Sequence, residues 1–414
     1  KVDFVFAGES EVTFVDFLQS IGKEPPERII RGLPVENLDD LPTPDFADYF
    51  EQVKPIMGQV PLWLLYESSR GCWWGSKNHC PFCGIDKKRM GFRQKSPDRV
   101  VQQLTQILAN SPTHRVCMTD NIMPHQFHKT LIPRLPLEVP RLRLFYEQKA
   151  NLSLEQVGNL QRAGCMTIQP GIEALQSDIL GLINKGVSPR QNLALLRYAR
   201  IVGLQLKWNL LWGFPKDLLQ SYLETETLLP LLHHLPPPQA LAHMHLDRFS
   251  PYVDNPEQYG ISNLRPFPGY GEVFPPEADL DRLAYHFEAS YPSGSEEAPE
   301  VMVRLLDKVW RWRRAWEQHA PALELRRIGV GSFVLMDTRG LGQNPCFYLN
   351  QSQAEAVLVG GPLGQAKASK WAIRNRFAVE LDGWCVPLAT STYELLAEFE
   401  GQGLVKSMAI SSTP

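Results

Sequence analysis

The sequence predicts an α/β protein whose core is a partial (β/α)6 barrel. Two observations indicate this fold. Between residues 58 and 255, short apolar segments alternate with amphipathic ones, an order typical of a parallel sheet covered by helices. Roughly six strand–helix units fit into this stretch, fewer than the eight of a complete barrel. The predicted strands are 62–66, 115–119, 142–147, 166–169, 205–211 and 243–247, and the helices between them are 98–109, 153–163, 177–182 and 189–202.

The length of 414 residues predicts more than one domain, because a single hydrophobic core stops growing near ~250–300 residues. The first 22 residues hold a strand, a turn at Gly8 and a helix, which is too little to fold alone. Residues 23–57 are rich in Pro and Asp, typical of a segment that lies extended over a neighbouring domain or links two. The predicted domains are the end of a Rossmann-like domain with its linker (1–57), the barrel core (58–255), a linker and helical region (256–322) and a small winged-helix-like domain (323–414).

The winged-helix prediction for the C-terminal region depends on helix and strand signals. Ser352 and Glu355 have the spacing of a capping box, and Ser391 and Glu394 repeat it. Residues 404–410 can return as a strand after the last helix. Helices followed by such a wing are typical of a winged-helix module.

A helix is also predicted near residues 300–319, and its apolar side chains form one stripe. We interpret the stripe as a packing surface with a solvated arginine face. A basic aromatic binding surface is the alternative. The apolar positions are Met302, Leu305, Leu306, Val309, Trp312 and Trp316, and the arginines that lie mostly off the stripe are Arg304, Arg311 and Arg314.

Composition excludes several classes of protein. The formal net charge is -3, so nothing global indicates a nucleic-acid or anionic-membrane partner. No apolar run approaches the ~20 residues of a membrane-spanning helix. The 7 cysteines are not arranged as the disulfide framework of a small secreted protein. We therefore expect a cytoplasmic protein in a reducing compartment.

Three cysteines form the most informative motif. Cys72, Cys80 and Cys83 stand in RGCWWGSKNHCPFCGID, directly after the first predicted barrel strand. Three thiolates on one loop can hold three irons of a four-iron cubane and leave the fourth iron open to a chelating ligand. The alternative is a structural zinc site. That needs a fourth ligand, and His79 is poorly placed for it because it is adjacent to Cys80.

This motif resembles that of the radical S-adenosylmethionine (SAM) superfamily. The usual spacing there is Cys-x3-Cys-x2-Cys. This chain departs from it in the first gap but keeps the Cys-x2-Cys pair with an aromatic residue, Phe82, before the last cysteine. The wider context resembles radical maturases of ribosomally made peptides whose N-terminal domain is similar to cobalamin-binding domains. The resemblance covers residues 1–255 well and the remainder loosely, and further matching phrases are FYEQKANLS, IQPGIEAL, LINKGVSPRQN and KWNLLWGFPKD.

The resemblance implies a [4Fe–4S] cluster and SAM as cofactors, and an electron donor such as flavodoxin or ferredoxin. In the family, the amine and carboxylate of SAM chelate the open iron, and one electron yields a deoxyadenosyl radical that abstracts hydrogen from an unactivated carbon. The protein supplies positioning and exclusion of water, so no residue is expected to act as a general acid or base.

Polar residues end the predicted strands, where a barrel places its active site. By resemblance, Asp120 and Asn121 would contact the methionine amine, Glu147 and Asn209 the ribose, and Lys185 the carboxylate. Carboxylates and amides suit a ribose diol, and a cation suits a carboxylate. Each residue taken singly could instead be a helix cap or a surface ion pair. The remaining predicted SAM contacts are Lys149, Gln169 and Glu173.

Residues 1–22 resemble the closing strand, turn and helix of a cobalamin-binding domain, although a Rossmann-like edge unit without a ligand is the alternative. Gly8 would permit a tight turn beside the corrin, and the helix start at Glu9 would face it. The bulk of such a domain would precede Lys1. If it is missing, cobalamin binding will be weak or absent.

The four other cysteines predict no auxiliary cluster. Cys117 and Cys165 lie among apolar strand residues and are expected in the core. Cys346 and Cys385 are too few to hold a second cluster.

The predicted function is cobalamin-associated radical modification of a ribosomal precursor peptide at an unactivated carbon. C-methylation is the default outcome, and a ring-forming or other carbon–carbon outcome is an alternative. Residues 323–414 would bind the leader of the precursor by strand addition, or act as a structural lid. Two rival functions stay open: a radical enzyme acting on RNA or a small metabolite, and a zinc-stabilised binding module.

Overall fold

The computed structural model describes residues 2–21, 27–86, 91–364 and 366–401. Within these residues, strands and helices alternate through the first two thirds of the chain. The strands are β1 Val5–Ala7, β2 Ile29–Arg31, β3 Leu64–Tyr66, β4 Ser69–Arg70, β5 Arg93–Gln94, β6 Arg115–Met118, β7 Arg143–Gln148, β8 Cys165–Pro170, β9 Gln205–Leu206, β10 Leu210–Trp212, β11 Leu241–His243, β12 Leu246–Asp247, β13 Ser262–Pro266, β14 His286–Ser290, β15 Leu323–Gly329, β16 Ser332–Asp337, β17 Cys346–Asn350, β18 Gly361–Pro362, β19 Ala378–Leu381 and β20 Trp384–Pro387.

Most α-helices flank the barrel strands or lie in the C-terminal region. They are α1 Glu11–Ser20, α2 Ala47–Val53, α3 Pro97–Ala109, α4 Phe127–Thr130, α5 Leu135–Glu138, α6 Leu154–Arg162, α7 Ser177–Leu182, α8 Pro189–Val202, α9 Leu219–Leu228, α10 Pro251–Asp254, α11 Gly269–Val273, α12 Leu280–Leu283, α13 Pro299–His319, α14 Gln351–Leu358, α15 Lys367–Arg374 and α16 Tyr393–Phe399. None of the described helices is long and apolar enough to cross a bilayer.

The predicted partial barrel is confirmed. Strands β3, β6, β7, β8 and β9 form one sheet in that order, and every pair is parallel. Strands β10 and β11 continue it as a parallel pair. The N–H of Leu211 joins that pair to the main sheet by donating to the carbonyl of Glu173, 2.9 Å away. The predicted strand 205–211 is therefore interrupted, and the predicted strand 243–247 divides between β11 and β12.

Helix signals in the sequence explain how the barrel is closed on its outer face. Ser188 caps α8 in a capping box with Gln191, Pro189 opens the helix, and Gly203 ends it with φ +74. One face of the parallel sheet carries buried apolar side chains, so burial alternates along its strands. Val116 and Leu144 are fully buried, whereas Cys117 and Phe145, on the opposite face, are half-buried.

In the N-terminal segment, β1 pairs with β2 in parallel, and α1 lies between the two strands in the sequence. The expectation of an extended linker over residues 23–57 is only partly right, because the described part contains β2 and α2. It is also held against the barrel: Asp39 accepts from the N–H of Ser96, and Arg99 donates to the carbonyl of Leu41.

Residues 256–322 were expected to be a linker followed by a helix, and that expectation is corrected in its first part. Strands β12, β14 and β13 form an antiparallel sheet in that order. The apolar stripe of α13 packs on the barrel: Trp312 is fully buried and donates to the carbonyl of Leu235 at 2.8 Å. The packing interpretation of this stripe is confirmed, except that Leu306 is exposed.

The C-terminal region contains two antiparallel sheets. One is β15–β16–β17, and the other has the order β18–β20–β19 with α14, α15 and α16 around it. The predicted caps are displaced: Asn350, with Gln353, caps α14, and Thr392 caps α16. The predicted strand 404–410 lies outside the described residues, and the winged-helix assignment stays a prediction.

Candidate active site

The three cysteines lie on a loop that begins and ends on a short antiparallel ladder between β4 and β5. Within the loop, the N–H of Gly75 donates to Cys72 Sγ at 3.2 Å. The N–H of Cys83 donates to the carbonyl of Cys80 at 3.0 Å. Cys80 is buried, and the other two are half-buried. The loop therefore presents three free thiols at the carboxyl end of the first barrel strand.

The chemistry of these thiols fits a metal cluster. Burial raises the pKa of Cys80, and it raises the pKa of Cys83 to about 11. Both thiols would stay protonated at neutral pH unless a bound metal ionised them, as coordination does.

A single zinc ion and a four-iron cluster make different demands on these thiols. A structural zinc site needs a fourth protein ligand, whereas a cubane spreads three thiolates over three irons and leaves one iron open. His79, the weak candidate for a fourth zinc ligand, has its Nε2 3.0 Å from the carbonyl of Cys83.

A cavity of about 250 Å³ adjoins the three cysteines at the carboxyl ends of the barrel strands. It is where a barrel of this kind places its chemistry. Most of the residues predicted to contact SAM line it together with the cysteines: Phe82, Asn121, Glu147, Lys149, Gln169, Glu173, Lys185 and Asn209.

Lys185 supplies the main positive charge of the cavity. Its Nζ lies 2.7 Å from Glu173 Oε1, and both side chains are largely buried. Burial lowers the pKa of Lys185, but the carboxylate of Glu173 and the nearby thiols outweigh it and the pKa is raised. Gly171 makes room for this pair, because a Cβ there would lie 2.5 Å from Lys185 Nζ. Lys185 is thus a fixed cation suited to bind the carboxylate of a small molecule in the cavity.

Lys149 has a different setting. Its Nζ lies 3.2 Å from the centroid of the Trp74 ring and donates to the carbonyl of Lys185 at 2.7 Å. Burial, with help from the charge of Lys185, lowers the pKa of Lys149 to about 8. The ammonium of Lys149 therefore holds the Trp74 ring and the turn at Lys185 in place.

Three polar side chains face the cavity from neighbouring strand ends. Glu147 and Gln169 are register partners in β7 and β8, and Asn209 lies just before β10. No hydrogen bond to these side chains occurs within the described ranges of the chain. Burial raises the pKa of Glu147 to about 7. These amide and carboxyl groups are available to share hydrogen bonds with a diol.

Asp120 does not line the cavity, unlike the sequence-based expectation. It is 1% exposed and accepts from Ser68 N at 2.7 Å, from Ser68 Oγ at 2.6 Å and from Ser69 Oγ at 2.6 Å. Tyr146 also donates to it, at 3.2 Å. Its oxygens are used within the protein, so its role is to fix the start of the cysteine loop.

A second cavity, of about 480 Å³, lies between the N-terminal segment and the mouth of the barrel. Gly8, Glu9 and Asn121 line it, and Asn121 and Ile85 line the first cavity as well. Gly71 and Gly84 also border this second cavity, together with charged side chains that include Arg70 and Arg93.

Glu9 does not present a free carboxylate to that cavity. It accepts from the N–H of Val35 at 2.9 Å, from Arg70 at 2.8 Å and from Arg93. Burial opposes ionisation, but these donors outweigh it and hold the pKa of Glu9 at about 2. Glu9 therefore ties the N-terminal segment to the cysteine loop.

Trp74, Lys207 and Gln239 are among the residues of the first cavity that sequence reasoning missed. Trp74 stands inside the cysteine motif, so its position was a usable signal. Lys207 could have been found once the interruption of the strand 205–211 was recognised. Gln239 carries no local signal, because it reaches the cavity through a contact distant in sequence: its N–H donates to the carbonyl of Trp208 at 2.7 Å.

Comparison with known proteins agrees with this geometry. Residues 66–229 match the model of the radical SAM superfamily. This stretch contains the three cysteines and the strands whose ends line the first cavity. Residues 66–229 therefore form a radical SAM domain, which implies a [4Fe–4S] cluster and SAM as cofactors.

Particular relatives extend the comparison. An uncharacterised methyltransferase of Pyrococcus horikoshii is 24% identical over 235 residues, 52% of this chain and 50% of that protein. The cobalamin-dependent SAM radical enzyme OxsB with aquacobalamin bound has a TM-score of 0.54 at 17% identity, covering 69% of this chain and 48% of OxsB. OxsB with aquacobalamin and SAM bound has the same TM-score and identity, covering 75% of this chain and 50% of OxsB. The chain thus spans about half the length of these relatives, and the OxsB likeness concerns the fold.

Proposed function

We propose that this chain is a cobalamin-associated radical SAM enzyme that modifies an unactivated carbon of a ribosomal precursor peptide, with C-methylation as the default reaction. The observation that carries the proposal is the pair of adjoining cavities. One holds the three cysteines and the SAM-facing side chains, and the other lies under the N-terminal segment. Asn121 and Ile85 border both, so two cofactors would meet at this point.

Each side chain of the first cavity has a proposed task. Cys72, Cys80 and Cys83 would hold a cluster that, with SAM, supplies the one-electron chemistry needed to activate a C–H bond. Lys185 would bind the methionine carboxylate. Glu147, Gln169 and Asn209, which the structure leaves without partners among the described residues, would orient the ribose, the last with Lys207 nearby.

The cobalamin and peptide parts of the proposal have separate support. Residues 5–20 form the strand, turn and helix expected at the end of a cobalamin-binding domain, and OxsB, which shares the fold, is described as cobalamin-dependent. The second cavity adjoins this segment, and Gly8 borders it as expected for the turn of such a domain. The peptide substrate is supported by the sequence resemblance and by a C-terminal region of sheets and helices packed on the barrel.

The test is an anaerobic reaction of the reconstituted protein with SAM, a low-potential reductant and cobalamin. One sample contains a synthetic leader–core peptide designed from short open reading frames next to the gene, and a parallel sample contains RNA instead. We expect deoxyadenosine in both the presence and absence of substrate, and a mass gain of one methylene on the peptide that requires cobalamin.

The control is Cys72→Ala, which should form neither product. A mass gain on RNA and none on the peptide would contradict the peptide substrate. Peptide modification that is equal without cobalamin would contradict the second cofactor.

A further inference from the structure

A groove of about 880 Å³ runs between the barrel and the C-terminal region. Helix α8 and the turn at residues 184–188 form one wall, and β20 and the end of α14 form the other. The volume falls within the ~300–1,000 Å³ that is typical of ligand sites. None of the side chains assigned above to SAM or to the cluster lines this groove. The groove and the first cavity share one wall, which Trp74 lines on both sides.

That shared wall consists of Trp74 and the turn 184–186. Trp74 lines both spaces, and its Nε1 donates to the carbonyl of Asn184 at 3.0 Å. A Cβ on Gly186 would lie 2.0 Å from the Trp74 ring, so glycine is needed for this contact. Lys185, between them, directs its ammonium to Glu173 in the cavity. The turn therefore has one face toward the groove and one toward the cofactor cavity.

Arg190 is an uncompensated cation in the groove. Its guanidinium carbon lies 3.9 Å from the centroid of the Trp384 ring, and its Nε is buried without a hydrogen-bond partner. Throughout the part of the chain that the structure describes, Arg190 forms no ion pair. Stacked, planar and unpaired, it is suited to bind a carboxylate through two hydrogen bonds.

The other charged groups of the groove are already engaged. Arg197 is 2% exposed and donates to the carbonyls of Ala389 and Leu358. Glu400 accepts from the hydroxyl of Tyr198 at 2.7 Å. A polyanion such as RNA would need several available cations, whereas the groove offers Arg190 beside apolar wall residues.

We infer that the groove binds an acidic, extended segment of the polypeptide substrate, with a carboxylate on Arg190. This inference rests on the proposed function and names where its substrate docks. Because Trp74 and the turn 184–186 stand between the groove and the cavity, the docked segment is separated by this wall from the carbon that reacts. Its binding energy holds the substrate at the enzyme while another segment enters the mouth of the barrel.

The test uses the reconstituted full chain and a fluorescein-labelled peptide of alternating Asp and Leu, with a matched peptide carrying Asn in place of Asp. Fluorescence anisotropy should show tighter binding of the Asp peptide. Arg190→Gln should weaken that binding about tenfold, the usual loss for a charge-assisted hydrogen-bonded pair.

The matched control is Arg200→Gln. Arg200 lies on the same helix and stacks on Trp316 at 4.8 Å, outside the groove. Its replacement should leave the affinity unchanged. Equal affinity for the Asp and Asn peptides, or equal losses in the two variants, would overturn the inference. The inference would also be overturned if a single-stranded RNA displaced the peptide and if Arg190→Gln abolished the binding of that RNA.

The rate of deoxyadenosine formation in the absence of peptide tests the cofactor cavity alone, so it distinguishes failure of this inference from failure of the proposed function. It should be the same in the wild type and both variants, since neither arginine lies in the cofactor cavity. Turnover with the precursor peptide should show a raised KM and an unchanged kcat for Arg190→Gln. Peptide binding that depends on Arg190, without any peptide modification, would retain the groove and refute the proposed reaction.

Discussion

At the scale of single residues, the charge balance of the cofactor cavity centres on Lys185. Its ammonium is paired with Glu173 at 2.7 Å and lies 5.6 Å from the Phe82 ring centroid. A largely buried pair of this kind is costly to break, because removal of one partner leaves the other charge uncompensated.

Replacement of Lys185 by methionine should therefore weaken SAM binding strongly. The methionine carboxylate of SAM would lose its cation and would meet the unpaired Glu173 carboxylate instead. We expect a loss of about tenfold to hundredfold in affinity, measured by equilibrium dialysis on the reconstituted protein. Lys216→Met, at an exposed position, is the control. Unchanged affinity in Lys185→Met would show that another group binds the carboxylate.

Residue-scale prediction from the sequence succeeded where position along a strand decides the outcome. Glu147, Gln169 and Asn209 reach the cavity because they stand at strand ends, which hydrophobic patterning locates. It failed for Asp120, whose neighbour Asn121 does reach the cavity. Two consecutive loop residues cannot be separated without knowing that Ser68 and Tyr146 approach one of them.

At the scale of elements, Asp120 joins the ends of three neighbouring strands. It follows β6 and binds Ser68 after β3 and Tyr146 within β7. Cys72, the first cysteine of the loop, lies four residues beyond Ser68, so the carboxylate positions that loop through the backbone.

Asp120→Ala should lower the free energy of unfolding by about 2–4 kcal/mol, because several buried donors lose their acceptor. Urea unfolding followed by tryptophan fluorescence measures this. Asp254→Ala removes an exposed carboxylate and should change the free energy by less than ~0.5 kcal/mol. Equal stability of both variants would contradict the anchoring role.

The elements of the barrel were predictable, and those after residue 255 were not. Apolar strands that alternate with capped helices carry local signals. The sheet β12–β14–β13 joins Ser262–Pro266 to His286–Ser290, and this pairing depends on contacts distant in sequence. The cap of α14 shifted by two residues because Asn350 and Gln353 form the same motif as the predicted pair.

At the scale of the whole molecule, flanking segments are fastened to the barrel by polar contacts. Arg70 pairs with Glu9 and Glu11 of the N-terminal segment and with Glu67. On the other side, His234 is 1% exposed, and its Nε2 lies 2.8 Å from the carbonyl of Leu388. The N-terminal segment and the C-terminal region are therefore both tied to the barrel.

His234 predicts acid sensitivity of this junction. Burial lowers its pKa from 6.5 to about 3, so between these values the unfolded chain binds the proton that the folded chain excludes. Stability from this group is present at pH 7.5 and declines as the pH falls below 6.5. We expect a loss of about 1.4 kcal/mol on going to ~pH 5.5.

His234→Leu should remove that part of the pH dependence, although it also loses the bond to Leu388. The measurement is the difference in unfolding free energy between the two pH values, compared with His319→Leu at an exposed helix end. An identical pH dependence in the wild type and His234→Leu would contradict a buried neutral histidine.

The central claim is that Cys72, Cys80 and Cys83 hold a cubane with one open iron. Mössbauer spectroscopy after anaerobic reconstitution with iron-57 and sulfide tests it most directly. The account predicts about four irons per chain, one of which changes its signal when SAM is added, and loss of the cluster in Cys80→Ala but not in Cys346→Ala. Stoichiometric zinc in a closed tetrahedral site, or an iron signal indifferent to SAM, would contradict it.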